Sequence, residues 1–272
     1  MNTDRSKTDP ARMHAPDQHL VDVVLAYVTE RLALAEAPID GFGDRGEMQQ
    51  ALEGLIGAEP KDPVTVLGIY EKHLSETVLS ADSPRFFGFI PAAPTKAALL
   101  FDMVVSAASL QGCSWLEAAG AVMAENQALR TMADIAEMPQ GAGGTFVSGG
   151  SAGNLSALVV ARDTARAKRV VSGQPLYQLQ VVVSDQAHSS IKNALNIVDM
   201  GAIVIPTTQG RMTRENLVQG LAHQDLSNVV AIVATAGTTN AGIIDQLDAA
   251  ADTAESHDWW FHVDGAYGGA GM

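Results

Sequence analysis

The chain has 272 residues, of which 47% are hydrophobic and 18% are charged, a composition typical of a globular protein with a substantial core. Its formal net charge of −14 disfavours binding to nucleic acid or to anionic membrane surfaces, because both repel an acidic protein. A single cysteine, Cys113, excludes an intramolecular disulfide and fits a reducing compartment. The polar start of the chain lacks a signal-peptide pattern, so we expect a cytoplasmic protein without membrane attachment.

The first half of the chain has a helical pattern. Residues 1–18 are polar and predict a disordered tail, whereas residues 19–139 predict a helical N-terminal segment. In the last helix of this segment, Ser114 is the expected N-cap and Glu117 completes a capping box. An aromatic loop bracketed by prolines, SPRFFGFIP at residues 83–91, separates helical stretches. The three strongest helices are predicted at residues 19–37, 94–109 and 114–139.

The second half, residues 140–272, alternates short β-branched runs with helical stretches. Strands are predicted at residues 144–148, 179–185, 202–206, 228–236 and 259–264. Helices are predicted at residues 152–171, 189–201, 213–224 and 246–258. Four successive αβ units indicate an α/β fold with a mostly parallel sheet and helices on both faces. Ligands of such sheets bind at the carboxyl ends of the strands, so the polar residues after each strand are candidates for a site.

The segment SGGSAGN places glycines and a serine directly before a helix. Glycines allow backbone N–H groups to approach a ligand, and a helix N-terminus favours anions. We therefore interpret Gly149, Gly150 and Ser151 as a phosphate-binding loop. The structural alternative is an ordinary helix that Ser151 caps.

A second alternative is an α/β-hydrolase, because Gly149, Ser151 and Gly153 also match the G-x-S-x-G pattern of a nucleophile elbow. Asp245 followed by His257 or His262 would complete the triad in the expected chain order. The sequence upstream has no HGGG-type segment for an oxyanion hole. A fluorophosphonate probe that labels Ser151 would support this alternative.

Three more strand exits carry polar residues. His188 follows the strand at 179–185, a threonine pair (Thr238 and Thr239) follows the strand at 228–236, and Asp264 ends the last strand. A carboxylate beside a buried strand is costly unless it is paired, and no lysine or arginine lies near Asp264 in sequence. A flat cationic ring that carries a phosphate would satisfy the loop, the imidazole, the hydroxyls and the carboxylate, and pyridoxal 5′-phosphate is such a ligand. We expect no metal at this site.

These motifs resemble those of the pyridoxal-phosphate-dependent group II decarboxylases, which include aromatic-L-amino-acid, glutamate and diaminobutyrate decarboxylases. The resemblance extends from about Leu20 to the end of the chain and is carried by five ordered segments: SPRFFGFIP, SGGSAGNLSAL, SDQAHSSIKNA, ATAGTTNAGIID and FHVDGAYGG. It implies decarboxylation of an L-amino acid by the type I, aspartate-aminotransferase-like fold, with residues 140–272 forming an incomplete large domain that binds the cofactor. Ala152 departs from the family pattern, in which many members have a glutamate after the serine.

The resemblance also implies roles for individual residues. His188 would stack on the pyridine ring, Thr239 would lie near the phenolic oxygen of the cofactor, and Asp264 would pair with the ring nitrogen. The phosphate would be held by Gly150 and Ser151, the ring would contact Ala266, and the substrate would meet the loop that contains Phe87 and Pro91. The three residues expected to be catalytic are His188, Thr239 and Asp264.

In this family a lysine after the strand of Asp264 holds the cofactor as a Schiff base, and here every lysine precedes Asp264: Lys7, Lys61, Lys72, Lys96, Lys168 and Lys192. We therefore expect an amino-terminal piece of a longer enzyme that is inactive alone and forms a homodimer when complete. A non-catalytic remnant that binds a phosphate ligand or a partner chain is the remaining alternative. The phenylalanines of the loop and Trp115 slightly favour an aromatic amino acid as substrate.

Overall fold

The computed structural model describes residue 15 and residues 17–59, 61–90 and 92–271. The expected disordered tail at residues 1–18 lies almost wholly outside these described residues. The chain divides into two compact units, Met1–Leu110 and Gln111–Met272. The domain boundary that the sequence predicts at residues 139 and 140 stays a prediction.

The first unit is helical where it is described. A π-helical turn, Tyr70–Leu74, continues the third of its helices. The helices are α1 (Gln18–Ala33), α2 (Arg45–Leu52), α3 (Pro63–Ile69) and α4 (Lys96–Ala107). Helices α1 and α4 confirm two of the predicted helices, whereas α2 and α3 are additional. Each of the four begins at an aspartate or threonine whose side chain accepts a backbone N–H, as N-caps do.

The second unit begins with helix α5 (Trp115–Ile135), which confirms the third predicted helix. The Ser114 side chain accepts the Glu117 N–H at 3.4 Å, and its hydroxyl donates to Glu117 Oε2 at 2.7 Å. The remaining helices are α6 (Gly150–Ser172), α7 (Ser189–Ile197), α8 (Arg214–Leu221) and α9 (Leu247–His257). The strands are β1 (Gln180–Ser184), β2 (Gly201–Ile205), β3 (Val229–Thr235) and β4 (Trp260–Asp264).

The four strands form one parallel sheet in the order β2-β1-β3-β4. The chain moves outward from β1 to β2 and then returns to the other side of β1 for β3, so the strand order reverses between β1 and β3. Open parallel sheets bind ligands at such a reversal, at the carboxyl ends of the strands. The predicted α/β fold with a parallel sheet is confirmed.

Helices cover both faces of this sheet, and each face has its own apolar core. On one face, α6 and α7 pack Leu158, Ile191 and Leu195 against alternate residues of the strands. On the other face, α8 and α9 contribute Leu217 and a set of small alanines. Strand β3 is buried over its whole length, so the polar groups at its carboxyl end lie on a rigid support.

Two expectations from the sequence were wrong. Residues 144–147 have no regular structure, because no described strand pairs with them and a strand exists only through its pairing. The idea that Ser151 caps the following helix also fails, because α6 begins at Gly150 with Gly149 as its N-cap. Ser151 therefore lies inside the first turn of the helix.

Candidate cofactor site

Asp264 is the last residue of β4 and is 6% exposed. Its Oδ2 accepts a hydrogen bond from Asn154 Nδ2 at 3.0 Å, and its Oδ1 accepts one from the Ala266 N–H at 3.2 Å. Among the described residues, no lysine or arginine forms an ion pair with this carboxylate. Burial of an ionised carboxylate without a cation is costly, so the position favours a cationic ligand.

Asn154 connects this carboxylate to the rest of the site. It lies one helical turn after Gly150 on α6, is 4% exposed, and uses its amide in three directions. Besides Asp264, its Nδ2 donates to Ser190 Oγ at 3.0 Å, while its Oδ1 lies 2.8 Å from His262 Nε2. A carboxylate accepts and does not donate, so the contact with Asp264 identifies the amide nitrogen and fixes the orientation of the whole group.

His188 joins the same network from α7. It is the N-cap of that helix, and its Nδ1 accepts the Ser190 backbone N–H at 3.2 Å. The Ser190 hydroxyl lies 2.8 Å from the same ring nitrogen. A backbone N–H can only donate, so Nδ1 carries no hydrogen and the proton of the neutral ring lies on Nε2.

His262 lies two residues before Asp264 and therefore on the same face of β4. Burial lowers the pKa of this imidazole below its usual value, and the negative charge of Asp264 opposes that shift only in part. The ring is thus neutral at physiological pH, with its Nε2 hydrogen directed to the Asn154 oxygen. It therefore does not supply the cation that the Asp264 carboxylate lacks.

The glycines before α6 permit a close approach of two segments. Gly149 has φ of +139°, a region that favours glycine, and a Cβ on Gly150 would lie 2.7 Å from the Ala266 Cβ. The N-terminus of α6 consequently lies against the residues that follow Asp264. No side chain caps the first turn of this helix, so its N–H groups and the exposed Ser151 hydroxyl can meet an anion.

The threonine turn packs beside the same segment. The Gly268 N–H donates to the Ala236 carbonyl at 2.9 Å, and a Cβ on Gly237 would contact Tyr267 and Gly268. Thr238 is buried, and its Oγ1 accepts the Ile243 N–H at 3.1 Å. Thr239 is exposed in the turn that follows. Thr238 thus holds the turn together, and Thr239 presents the free hydroxyl.

One buried hydroxyl next to Asp264 is unsatisfied. Thr235 pairs with Asp264 in the β3–β4 register, and its Oγ1 is buried without a hydrogen-bond partner in the described part of the chain. Buried polar atoms without partners are rare in proteins and point to a missing ligand or solvent molecule. An anion-binding helix start, a buried carboxylate without a cation and this hydroxyl fit a ligand with a phosphate and a cationic ring.

A comparison with protein families agrees with this chemistry. Residues 46–272 match the model described as the pyridoxal-dependent decarboxylase conserved domain. The chain belongs to this decarboxylase family. The family is dependent on pyridoxal phosphate, which is the cofactor that the sequence predicted.

Similar proteins have decarboxylase names. An aromatic-L-amino-acid decarboxylase of Bacillus atrophaeus is 26% identical over 91% of this chain and 51% of its own length. An L-2,4-diaminobutyrate decarboxylase of Rhizobium meliloti is 35% identical over 63% of this chain and 35% of its own length. The crystal structure of Oryza sativa TDC with PLP and tryptamine has a TM-score of 0.80 at 25% identity, over 93% of this chain and 55% of that one. The chain thus spans about half the length of relatives that it matches, and the predicted fold class is confirmed.

Within the decarboxylase family fold, several predicted site residues come together. Gly150 meets Ala266, and the Asn154 amide links Asp264 through Ser190 to His188. The hydroxyl of Thr239 has no recorded contact with these residues. Their roles toward a cofactor stay predictions.

The two residues expected near the substrate are not part of this group. Phe87 belongs to the first unit and is 93% exposed, and Pro91 lies outside the described residues. The predicted contact of this loop with a substrate stays untested. Two neighbours of Phe87, namely Phe89 and Ile90, have positive φ angles of 62° and 78°, which are unusual for bulky residues.

Sequence reasoning missed Asn154 and Ser190, and it considered His262 only as a candidate histidine of the hydrolase alternative. Their spacing offered a signal, because Asn154 lies four residues after Gly150 on a helix and His262 two residues before Asp264 on a strand. Both spacings place side chains on the face of a predicted site residue. Ser190 follows His188 by two residues at a helix start, where hydroxyls commonly bond to backbone or side-chain groups.

The residues that the hydrolase alternative requires do not come together. Ser151 has no recorded hydrogen bond to a histidine among the described residues, and His262 bonds to Asn154 instead. Asp245 accepts the backbone N–H groups of Met212 and Thr235, at 2.7 and 2.8 Å, and holds no imidazole. His257, the last residue of α9, stacks on Trp259 with ring centroids 4.3 Å apart. Ser151 and these acid and histidine candidates therefore form no nucleophile–base pair of a serine hydrolase in the described part of the chain.

Proposed function

We propose that this chain binds pyridoxal 5′-phosphate at the carboxyl end of its sheet and contributes that site to an enzyme that decarboxylates an L-amino acid. The observation that carries the proposal is the Asp264 carboxylate, which is buried, accepts two hydrogen bonds and has no cationic partner among the described residues. Family membership supports the same conclusion.

The residues of the chain would hold the cofactor at three points. The start of α6, with Gly150 and Ser151, would accept the phosphate, because the N–H groups of these two residues have no partner among the described residues and the helix dipole favours an anion. Asp264 would pair with the ring nitrogen and keep it protonated, and His188 would stack on the ring. Thr239 would donate its hydroxyl to the cofactor, and Ala266 would pack against the ring.

When bound, pyridoxal phosphate stabilises the electron pair left at Cα as the substrate loses its carboxylate. Asp264 strengthens that effect, because a protonated ring nitrogen withdraws electrons better than a neutral one. A charge pair about 4 Å apart contributes roughly 4 kcal/mol at an effective dielectric constant near 20. Burial of Asp264, and the lack of a lysine or arginine partner among the described residues, would limit the screening of this interaction by water and competing charges.

We propose an aromatic L-amino acid as the first substrate to test. The aromatic-L-amino-acid decarboxylase of Bacillus atrophaeus aligns with 91% of this chain. In the first unit, the aromatic side chain of Phe87 is exposed to solvent. Diaminobutyrate is the second choice, since the Rhizobium meliloti relative is 35% identical over a shorter segment. Decarboxylation assays of the complete enzyme with both amino acids separate these choices.

Two further parts of the proposal concern assembly and location. Homodimer formation is supported by α4, which has no buried residue and exposes Leu100, Phe101, Val104 and Val105. Sedimentation velocity of the complete enzyme tests this prediction, and a monomer at micromolar concentration contradicts it. Cytoplasmic location is supported by the single, free cysteine. No helix in the described part of the chain is both long and apolar enough to cross a bilayer.

The decisive experiment is a titration of the 272-residue chain with pyridoxal phosphate, followed by cofactor absorbance and fluorescence. We expect saturable binding that Asp264→Asn weakens by at least tenfold and by up to about a thousandfold, because the charge pair is lost while the shape is kept. Every lysine in this sequence precedes Asp264, so borohydride reduction should leave no covalent adduct in this site. We accordingly expect no turnover by the chain alone.

The matched control is Asp199→Asn. Asp199 is exposed after α7 with φ of 55°, a conformation that asparagine adopts readily, so this variant should bind like the wild type. If Asp264→Asn binds the cofactor as well as Asp199→Asn does, Asp264 is not the partner of the ring nitrogen. Labelling of Ser151 by a fluorophosphonate would instead support the hydrolase.

A further inference from the structure

We infer that Asn154 is a positioning residue that holds Asp264 and His188 in one directed hydrogen-bond relay, with His262 at its other end. The inference rests on the proposed function, since it concerns the two side chains that would meet the cofactor ring. It gives a role to Asn154, Ser190 and His262, which lie within the recognised segments but have no role there in the resemblance.

The direction of the relay follows from what each atom can donate. The carboxylate of Asp264 accepts from Asn154 Nδ2 at 3.0 Å, so Asn154 Oδ1 faces His262 and must accept the Nε2 hydrogen at 2.8 Å. The second hydrogen of Nδ2 goes to Ser190 Oγ at 3.0 Å. The Ser190 hydroxyl hydrogen is then free to point to His188 Nδ1 at 2.8 Å. Each hydrogen that lies between two members of the relay therefore has one defined acceptor.

The central members of the relay are buried, so their hydrogen bonds have fixed partners. Asn154, Ser190 and Asp264 are all nearly inaccessible, at 4%, 5% and 6% exposure. A buried amide with all its partners satisfied has one orientation, because turning it would leave donors facing donors and acceptors facing acceptors. Asn154 therefore sets which oxygen of Asp264 is occupied and which nitrogen of His262 carries the hydrogen, whereas the Ser190 backbone N–H sets the tautomer of His188.

The relay orients the Asp264 carboxylate with groups that carry no charge. His262 is kept neutral by burial, so it fixes the Asn154 amide without neutralising Asp264. Among the described residues, the donors that orient the Asp264 carboxylate are neutral, the Asn154 amide and the Ala266 N–H, so no cation of the protein competes there with a cationic ligand. A lysine or arginine in the position of Asn154 would instead form an ion pair with Asp264, and the carboxylate would then be less available to a cationic ligand.

Asn154→Asp separates the contact with His262 from the contacts with Asp264 and Ser190. The replacement has the same shape and retains an oxygen toward His262, but it loses both donors and places a like charge beside Asp264. Asn154→Leu removes all three contacts. Asn193→Leu is the matched control, because Asn193 is exposed on α7 and has no recorded side-chain hydrogen bond.

The first readout is the tautomer of each histidine in the 15N-labelled 272-residue chain, measured by long-range proton–nitrogen NMR at neutral pH. In the wild type and in Asn193→Leu, His188 and His262 should both carry their hydrogen on Nε2. Asn154→Asp should retain the His262 signal, whereas Asn154→Leu should shift it. A hydrogen on His188 Nδ1 in the wild type would overturn the inference even if neither Asn154 variant folds.

The second readout is binding of pyridoxal phosphate labelled with 15N at its ring nitrogen. Both Asn154 variants should bind about tenfold to a hundredfold more weakly, the range expected for lost hydrogen bonds to a charged group. The ring nitrogen should also shift toward its unprotonated position. Wild-type affinity and an unchanged nitrogen shift in Asn154→Asp would refute the positioning role. If the wild-type chain fails to bind the cofactor at all, the proposed function fails, whereas the histidine tautomers still decide whether the relay exists.

Discussion

Asp245 and Asp264 are the same residue type, are both buried, and both lie at the carboxyl end of the sheet, yet different groups surround them. Both oxygens of Asp245, which is 1% exposed, accept backbone N–H groups from Met212 and Thr235. Asp264 accepts one side-chain amide and one backbone N–H. The donors to Asp245 belong to the main chain of the fold, whereas the main donor to Asp264 is a replaceable side chain.

This difference separates a structural carboxylate from a candidate functional one. Asp245 ties the end of β3 to the segment before α8, and its own N–H donates to the Thr235 carbonyl. Burial raises the pKa of Asp245 above the usual value, against the lowering effect of its two backbone donors. Burial alone therefore does not identify a functional aspartate, and the kind of donor around it is more informative.

The largest effect is expected from Asp245→Ala. This change leaves the N–H groups of Met212 and Thr235 buried and unsatisfied, at about 1–3 kcal/mol each, so we expect a loss of roughly 2–6 kcal/mol in the free energy of unfolding. Urea unfolding followed by circular dichroism measures it.

Asp264→Asn is the counterpart in this experiment. It retains shape and an acceptor oxygen, so its unfolding free energy should stay within about 1 kcal/mol of the wild type while cofactor binding falls. If the two substitutions cost the same stability, the contrast between the aspartates disappears and both are structural.

A smaller effect is expected from Gly150→Ala at the start of α6. The new Cβ would lie 2.7 Å from the Ala266 Cβ, and overpacking of this kind costs about 1–3 kcal/mol. Binding of pyridoxal phosphate should weaken as well, because the helix start must move away from the residues that follow Asp264. Thermal unfolding and cofactor titration measure the two effects.

Gly153→Ala, in the same helix turn, is the control for that prediction. Its Cβ would meet Val147 Cγ2 at 3.6 Å, an ordinary contact, and alanine favours a helix more than glycine does. We expect unchanged or slightly higher stability. Equal losses in the two variants would show that flexibility of the turn, rather than close packing on Ala266, is what the glycines provide.

The sequence predicted those parts of the molecule that depend on local pattern. Periodicity located four strands and most helices, and alternation of strands with helices predicted the parallel sheet. It failed at residues 144–148, which have a strand composition but no described strand to pair with. Pairing is a tertiary property that a five-residue pattern does not contain.

The candidate site was predictable in outline only. Strand exits identified Asp264, His188 and the glycine loop, because parallel strands bring their carboxyl ends to one edge. The link between them was not predictable, because Asn154 and Asp264 are 110 positions apart in sequence and meet only through packing of α6 on the sheet. Burial does not distinguish Asp264 from Asp245, because both are buried, and it is the surrounding hydrogen bonds that make the distinction.

The smallest effect concerns pH and His262. Burial depresses the pKa of His262 in the folded chain, so between this pKa and the value of about 6.5 in the unfolded chain, the unfolded state binds more protons. Stability from this group is therefore fully present above about pH 6.5 and is lost as the pH falls through the folded pKa. The pKa shift of Asp245 has the opposite sign, so the cost of that residue to the free energy of unfolding decreases as the pH falls.

Comparison of the wild type with His262→Gln isolates the contribution of the histidine, because glutamine can still donate to Asn154 but does not titrate. Urea unfolding at several pH values between 5 and 8 should show a shallower decline for this variant on the acid side, with replacement of the exposed His223 by glutamine as the control. Parallel curves for the wild type and His262→Gln would mean that the imidazole is protonated without cost, and the neutral end of the relay beside Asp264 would then be wrong.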